Sequence, residues 1–516
     1  MDSATLGAVS VALAFTFGLA VYNWRRTSVS ALPLPPGPPA RGLLGNLTDV
    51  PTSHEWKTYA EWGLKYGPVS HFRILTRHVV ILNTLEAAVD LLDKRSGNYS
   101  DRPQFTMMCE LMGWNWNMGL MPYGEYWRTH RKIIQHFLPS HPDARAEKYH
   151  ESQTRATMHF LRALLDTPAQ FYDHVRRLTA AGILAVSHGR ELGPTADDPW
   201  VVMADEAADS LVAAGFPGSW AVDWLPLLKY VPAWIPGASF KRKANEWRKT
   251  AFRPRDLPFD WVENELISGR AVHSVAADLI QNGFGGKAVP GDVMRNVTGI
   301  IHIGGADTTV SVLHSFMALM VLNPDAQRRA QEQIDAVLGP DLRLPTFDDR
   351  VSLPLVEAIV LETFRMYPPG PLGVAHRSMK ADQYKGIYIP AGTTILANSW
   401  AILRDETSYP DPHSFKPERF LAADGSLDRT IPDPRIPVFG FGRRVCPGKH
   451  FADDAVWLAV ASTLACFTIR HKEGDDRMSD IKLRSGFITG PERFNCSITP
   501  RSNAVKRLIV SATDHA

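Results

Sequence analysis

Apolar positions recur every three or four residues over 84–95, 125–137, 143–165, 292–322, 325–338 and 354–366, the spacing that gathers them on one helical face. Shorter runs at 69–74, 78–82, 385–389 and 393–397 are rich in β-branched residues and predict strands, the last pair joined by Pro390-Ala391-Gly392. No internal repeat or low-complexity tract follows Gly42, and no linker splits the chain. The pattern predicts one large, mainly α domain with a small β-rich portion.

The longest of these helices has an unexpected centre. Its flanks are almost uninterruptedly apolar, yet residues 301–311 read IHIGGADTTVS. Each glycine in a helix interior costs about 1 kcal/mol relative to alanine, and an aspartate among apolar neighbours costs more unless it is partnered. Such a weak, polar centre needs a reason.

The amino end breaks the pattern differently. Leu6 to Tyr22 carries no charge, and Trp24, Arg25 and Arg26 follow it. A cleaved signal peptide places its positive charge before the apolar run, whereas here the early charge is Asp2. The reading is an uncleaved transmembrane anchor over residues 1–26, with the rest of the chain on the cytosolic side. Next, LPLPPGPPARG is rich in proline and predicts a stiff linker over 27–42, leaving 43–516 as the main domain. The N-glycosylation triplets beginning at Asn46, Asn98, Asn296 and Asn495 are cytosolic in that topology, and unused.

Composition narrows the class. A net charge of +2 argues against nucleic-acid binding through overall charge. The 4 cysteines are scattered without a CxxC pair, which suits a reducing compartment.

One cysteine stands apart. Residues 439–448 read FGFGRRVCPG, and a helical pattern starting at His450 follows. A loop ending at a helix start aims backbone N–H groups at the Cys446 sulfur and favours the thiolate that a soft metal requires. Taken alone, a buried free cysteine is the better explanation of it. Further signatures lie upstream. Glu362 and Arg365 sit three apart in LETFR, Arg419 lies in FKPERF, and Trp127 and Arg131 share a helical face in YWRTHR.

In this order and at these separations, the motifs resemble the cytochrome P-450 haem-thiolate monooxygenases, over essentially the whole chain. The resemblance implies haem b as cofactor, with Cys446 as the axial iron ligand and Phe439 packed beside it. Arg444, Trp127, Arg131 and His376 (in PLGVAHR) are then propionate partners, and Glu362, Arg365 and Arg419 form a buried structural triad. It also explains GGADTT. Gly304 and Gly305 let the helix lie close to a flat macrocycle. Asp307 and Thr308 relay protons to bound oxygen through ordered water, Thr308 bonding back four residues and opening the helix locally.

No GxGxxG follows a predicted strand, so electrons must come from outside. The resemblance implies NADPH through an NADPH–cytochrome reductase in the same endoplasmic reticulum membrane, with cytochrome b5 as a possible second donor. Arg128, Lys132, Arg443 and Lys449 are candidates for an acidic partner's docking face. Residues 105–121, 370–374 and 485–490 are expected near the pocket, the first as an adaptable lid or as plain core. Residues 223–243 are expected at the bilayer surface. A looser likeness to microsomal fungal members of secondary metabolism makes a lipophilic substrate the expectation: a terpenoid first, then an aromatic polyketide or indole. The alternatives are a haem-thiolate enzyme that rearranges or dehydrates without activating dioxygen, and a non-catalytic haem sensor.

Overall fold

The computed structural model describes residues 32–139, 147–192, 198–215, 219–339, 343–472, 474 and 480–514. The apolar run read as an anchor lies outside them.

In chain order, the elements that frame the site are α1 (Glu55–Tyr66), β1 (Val69–Ile74), β2 (Arg77–Leu82), α2 (Glu125–Phe137), α3 (His150–Asp166), α4 (Phe171–His188), α5 (Pro199–Ala214), α6 (Arg253–Ile267), α7 (Gly291–Leu322), α8 (Pro324–Leu338), α9 (Pro354–Met366), β3 (His376–Arg377), β4 (Asp382–Tyr384), β5 (Ile387–Ile389), β6 (Thr394–Ala397), α10 (Lys449–Cys466), β7 (Phe467–His471) and β8 (Cys496–Pro500). The chain is mainly helical with small sheets.

Helix α7 is long and apolar enough to cross a membrane, but most of it is buried inside the protein. From Thr309 to Val321 every residue is buried, and its Phe316 joins a core with Val360 of α9 and Trp457 and Leu464 of α10. Each such side chain contributes about 1.5–3 kcal/mol by leaving water, and this enclosure makes α7 the central beam.

The main sheet runs β1-β2-β6-β3, with β1 and β2 antiparallel and β2 and β6 parallel. The strands on either side of Pro390–Gly392 do not pair with each other. β5 pairs with β4, whereas β6 joins the main sheet beside β2 and β3. Gly392 has φ 78°, and Gly392 N–H donates to the Ser378 carbonyl at 2.8 Å, so the turn redirects the chain between sheets instead of closing a hairpin. The helix expected from 143 begins at His150, after a single 3-10 turn over Glu147–Tyr149; residues 140–146 lie outside the described part.

The proline-rich stretch, read as a linker, is stitched to the β4–β5 pair and to the main sheet from Pro33 onward. Tyr388 N–H of β5 donates to the Pro33 carbonyl at 2.8 Å, and His71 N–H of β1 donates to the Pro36 carbonyl at 2.9 Å. The approach is so close that a Cβ on Gly37 would lie 1.8 Å from the His71 carbonyl oxygen.

Candidate active site

The cysteine loop is held by backbone geometry. Gly442 has φ 55°, and a Cβ there would stand 2.1 Å from the Leu92 carbonyl oxygen, so only glycine fits. Its N–H donates to the Asp93 carboxylate, and Cys446 N–H donates to the Phe439 carbonyl at 2.7 Å. Phe439 meets Phe364 of α9 edge-on at 5.6 Å. The N–H of Gly448 and the charges of Arg131 and Lys449 do favour a thiolate at Cys446, but burial outweighs them and raises its pKa. Loop donors alone therefore do not supply the thiolate that the sequence suggested; coordination to a metal does so outright.

Around this loop lies a cluster of buried arginines with a neutral histidine beside them. Arg131 donates to the Val445 carbonyl at 2.6 Å. Arg444 donates to the carbonyls of Ser100 at 2.7 Å and Met121 at 2.8 Å, its guanidinium 4.3 Å from the Trp127 ring centre. His376 Nδ1 lies 2.8 Å from the Tyr99 carbonyl oxygen. A member that sequence reasoning missed is Arg102, which donates to the carbonyls of Gly119 at 2.8 Å, Val374 at 2.7 Å and Ala375 at 2.8 Å. Its signal was faint, since an arginine between Asp101 and Pro103 reads as a surface turn.

Burial, and then the charge of Arg444, lowers the Arg102 pKa. Burial lowers that of Arg444 to about 10, and burial with Arg102 takes His376 to about 3. The neighbouring carboxylate, Asp101, is engaged by Arg377 at 3.2 Å and Tyr123 N–H at 2.9 Å. Trp127 Nε1 is buried with no hydrogen-bond partner among the described residues. Buried guanidiniums that meet only carbonyls, beside an orphaned indole N–H, form a cradle for a dianion.

Helix α7 opens where its sequence weakens. Gly304 is exposed and residues 305–308 are half-buried, although Ile301–Ile303 before them and Thr309–Val321 after them are buried. The two glycines differ in role. The nearest atom to a Cβ on Gly304 would be Ile300 Cδ1 of the same helix, at 3.9 Å, so this position faces space. A Cβ on Gly305 would stand 2.8 Å from Ile183 Cγ1, so the lack of one serves the crossing of α4 over α7.

Thr308 Oγ1 donates to the Gly304 carbonyl at 3.2 Å, but the helix runs unbroken from Gly291 to Leu322. The expected local widening is absent because the back-bond shares the carbonyl without displacing its helical donor. Asp307 makes no hydrogen bond among the described residues. Burial, then the charge of Asp205, raises its pKa to about 7, against the pull of Arg176 and Arg484.

Behind the loop, Glu362 and Arg365 form a two-point pair at 2.6 and 2.8 Å, and Arg419 reaches Glu362 at 3.2 Å. Arg365 also donates to the carbonyls of Leu403 at 2.9 Å and Pro412 at 2.8 Å. A second buried network escaped the sequence. Arg350 binds Glu357 at 2.9 Å, Asp453 at 2.7 Å and Asp454 at 2.8 Å, tying α9 to the first turns of α10.

Of the four surface cations proposed for docking, Arg128 pairs with Glu125 at 2.8 Å and Arg443 donates to the Tyr123 hydroxyl; Lys132 is exposed and Lys449 half-buried. The methionine- and tryptophan-rich stretch at 105–121 is mostly core, with Trp114 and Trp116 stacked at 5.3 Å. Thr489, in the second expected wall segment, donates its N–H to Pro369 at 2.9 Å and accepts from the Ser311 hydroxyl of α7.

A cysteine loop, a cradle for a dianion and an opened helix together fit a metallo-macrocycle bearing two carboxylates. The arrangement defines a haem-dependent oxidoreductase.

Comparison with known proteins agrees. The Cytochrome P-450 family profile matches residues 35–498. Cytochrome P-450 monooxygenase 98 of Postia placenta is 38% identical over 505 residues, covering 96% of each chain. Cytochrome P-450 monooxygenase COX2 of Coprinopsis cinerea is 39% identical over 518 residues, covering 99% of this chain and 97% of its own. Tryptamine 4-monooxygenase of Psilocybe cyanescens is 38% identical over 496 residues, covering 94% and 96%. The chain belongs to the cytochrome P-450 family and is a monooxygenase that uses haem b and electrons from NADPH by way of a reductase.

Proposed function

We propose that this enzyme oxidises a lipophilic small molecule in fungal secondary metabolism, with a terpenoid skeleton first and an aromatic polyketide or indole next. The indole option gains weight from the Psilocybe relative, whose name states tryptamine as its substrate. Cys446 is the iron ligand, with Phe439 packed at its loop. Arg131, Arg444, His376 and Trp127, with Arg102, hold the two propionates. The haem supplies dioxygen activation when bound. Gly304 leaves room beside it, and Asp307, with a pKa near neutrality, passes protons through ordered water to Thr308 Oγ1. Glu362, Arg365 and Arg419 stay structural.

The observation that carries this reading is the opening of α7 at Gly304 and Thr308, one turn apart on one face and set between the buried stretches Ile301–Ile303 and Thr309–Val321.

The domain is cytosolic, 1–26 is its anchor in the endoplasmic reticulum membrane, and the reductase, with cytochrome b5 as a second donor, docks over Lys132 and Lys449. Leu227, Tyr230 and Trp234, at 60, 72 and 79% exposure, and Leu43 and Leu44 on the amino-terminal side, support a membrane-facing surface.

The test is co-expression of the full chain with a fungal reductase, feeding a terpenoid, polyketide and indole panel, and reading products by mass spectrometry. A product heavier by one oxygen in the terpenoid set is expected. Turnover confined to indoles would move the substrate class. Turnover of none, despite intact haem and NADPH-dependent reduction, would sink the reading.

A further inference from the structure

The short helix Arg435–Phe439 leads into the cysteine loop, and both of its ends are fastened to α9. At one end Arg435 Nη1 donates to Glu357 Oε1 at 2.9 Å; at the other, Phe439 meets the Phe364 ring at 5.6 Å. Glu357 and Phe364 lie about two turns apart on one face of α9, so the short helix runs along that face. Between its ends, the Pro437 carbonyl accepts from the Ser399 hydroxyl at 2.8 Å.

Arg435 also reaches past the loop. Its Nη1 lies 3.1 Å from Asp453 Oδ2, in the first turns of α10 and beyond Cys446 in the chain. The limb that enters the loop is thereby tied to the helix that leaves it, with the cysteine enclosed between them. Nε and Nη2 of Arg435 hold Asp433 at 3.0 and 2.8 Å, so each guanidinium nitrogen is spent on a carboxylate.

Glu357 and Asp453 are buried, and Arg350 shares both. Burial raises the Asp453 carboxyl, but Arg435 and then Arg350 overcome it and hold it below the usual carboxylate range. The two arginines differ in one respect. Arg350 sits in the 3-10 turn ahead of α9 and joins α9 to α10, whereas Arg435 belongs to the loop's own entering limb. From that limb the tie passes to the cysteine by one backbone bond. Cys446 N–H donates at 2.7 Å to the carbonyl of Phe439, the last residue of the short helix. A shift of that helix along α9 therefore moves the cysteine backbone with it.

We infer that Arg435 is a positioning residue for the axial ligand. Through Glu357 and Asp453 it fixes the neck of the cysteine loop, and through Phe439 it sets where Cys446 presents its sulfur. The inference rests on the proposed ligation of iron by Cys446 and names the group that aims it.

The test compares Arg435→Met, Arg435→Lys and Arg350→Met in the full-length holoprotein. It reads the thiolate-type band of the reduced CO complex per haem, together with thermal melting. Arg435→Met and Arg350→Met should both melt earlier, since each leaves buried carboxylates short of a partner. Arg435→Met alone should lose part of the thiolate-type band, and Arg435→Lys, which keeps the charge without the fork, should retain more of it. Haem lost from both Arg435 variants, with Arg350→Met still loaded, would be the same loss in full. A full band in whichever Arg435 variants hold haem, or an equal loss in Arg350→Met, would overturn the inference. Cys446→Ser separates this from the ligand assignment. Survival of the band there removes the ligation itself, whereas a band abolished there and unmoved by Arg435 removes the positioning role alone.

Discussion

A methyl group added at Gly304 meets nothing nearer than 3.9 Å, whereas one added at Gly305 runs into Ile183 at 2.8 Å. The same substitution should therefore have opposite signatures at adjacent positions. Gly304→Ala should raise thermal stability, since alanine is favoured in a helix by about 1 kcal/mol, while filling the opening and depressing product formation. Gly305→Ala should lower stability by about 1–2 kcal/mol, and Ile183→Val in the same chain should restore only a part, because valine removes the Cδ1 contact at 2.9 Å but keeps a carbon at the Cγ1 position. Melting temperatures of the four proteins decide the matter; destabilisation by Gly304→Ala would contradict an open face there. Two further substitutions probe the chemistry. Cys446→Ser should abolish the thiolate-type spectrum of the reduced CO complex while leaving the fold intact. Thr308→Ala should retain haem but divert electrons to peroxide, and an unchanged ratio of product to NADPH would count against its role in proton delivery.

Whole elements carry the next tier of stability. Glu362 and Arg365 are fully buried, so the triad's net worth is small while it is complete and its loss large when broken. Glu362→Gln leaves two guanidiniums facing a neutral amide and should cost about 3–5 kcal/mol, seen as a lower urea midpoint and reduced haem content. A Gln variant with full haem and wild-type stability would show that the carbonyls around Arg365 suffice. The triad could be read from the sequence because its members sit in short motifs, and α2 because its apolar face is clean. Helix α4 could not, since its TAAGILAV stretch is buried on several sides and shows no single face. The Arg350 network was invisible because two of its three acids, Asp453 and Asp454, lie about a hundred positions away and only folding brings them together. The pairing of β6 with β2 and β3 was illegible for the same reason. Pro-Ala-Gly predicts a turn, but not which strand waits on the far side.

At the scale of the whole molecule, buried histidines set the response to acid. Desolvation lowers His71 to about 3, His78 to about 4, His302 to about 4 and His314 to about 3, from an ordinary 6.5. A histidine with a lowered folded pKa is protonated more readily in the unfolded chain. It costs the fold nothing above 6.5, and below that it removes up to about 1.4 kcal/mol per pH unit until the folded value is reached. Asp307 works the other way, because its raised pKa of about 7 adds stability as pH falls toward 3.8, but it is outnumbered by these rings and that of His376. Denaturation midpoints should fall steadily from pH 6.5 to pH 5. A flat profile would mean that these rings remain solvated.

The stitching of Pro33 to Tyr388 and of Pro36 to His71 also sets a schedule for the nascent chain. Pro33 is among the first described residues to leave the ribosome, and its partner strand is made roughly 350 positions later. At ~5–20 residues per second, that is a wait of about 20–70 s. Until then the amino-terminal collar is held by His71 at Pro36 and by the Asn46 amide at Pro38 and Pro39, and the edge that becomes β5 does not yet exist. The part of the domain synthesised first is therefore among the last to be fastened, and a stall in translation before Tyr388 should leave residues 32–40 open to protease while α2 to α5 are already made.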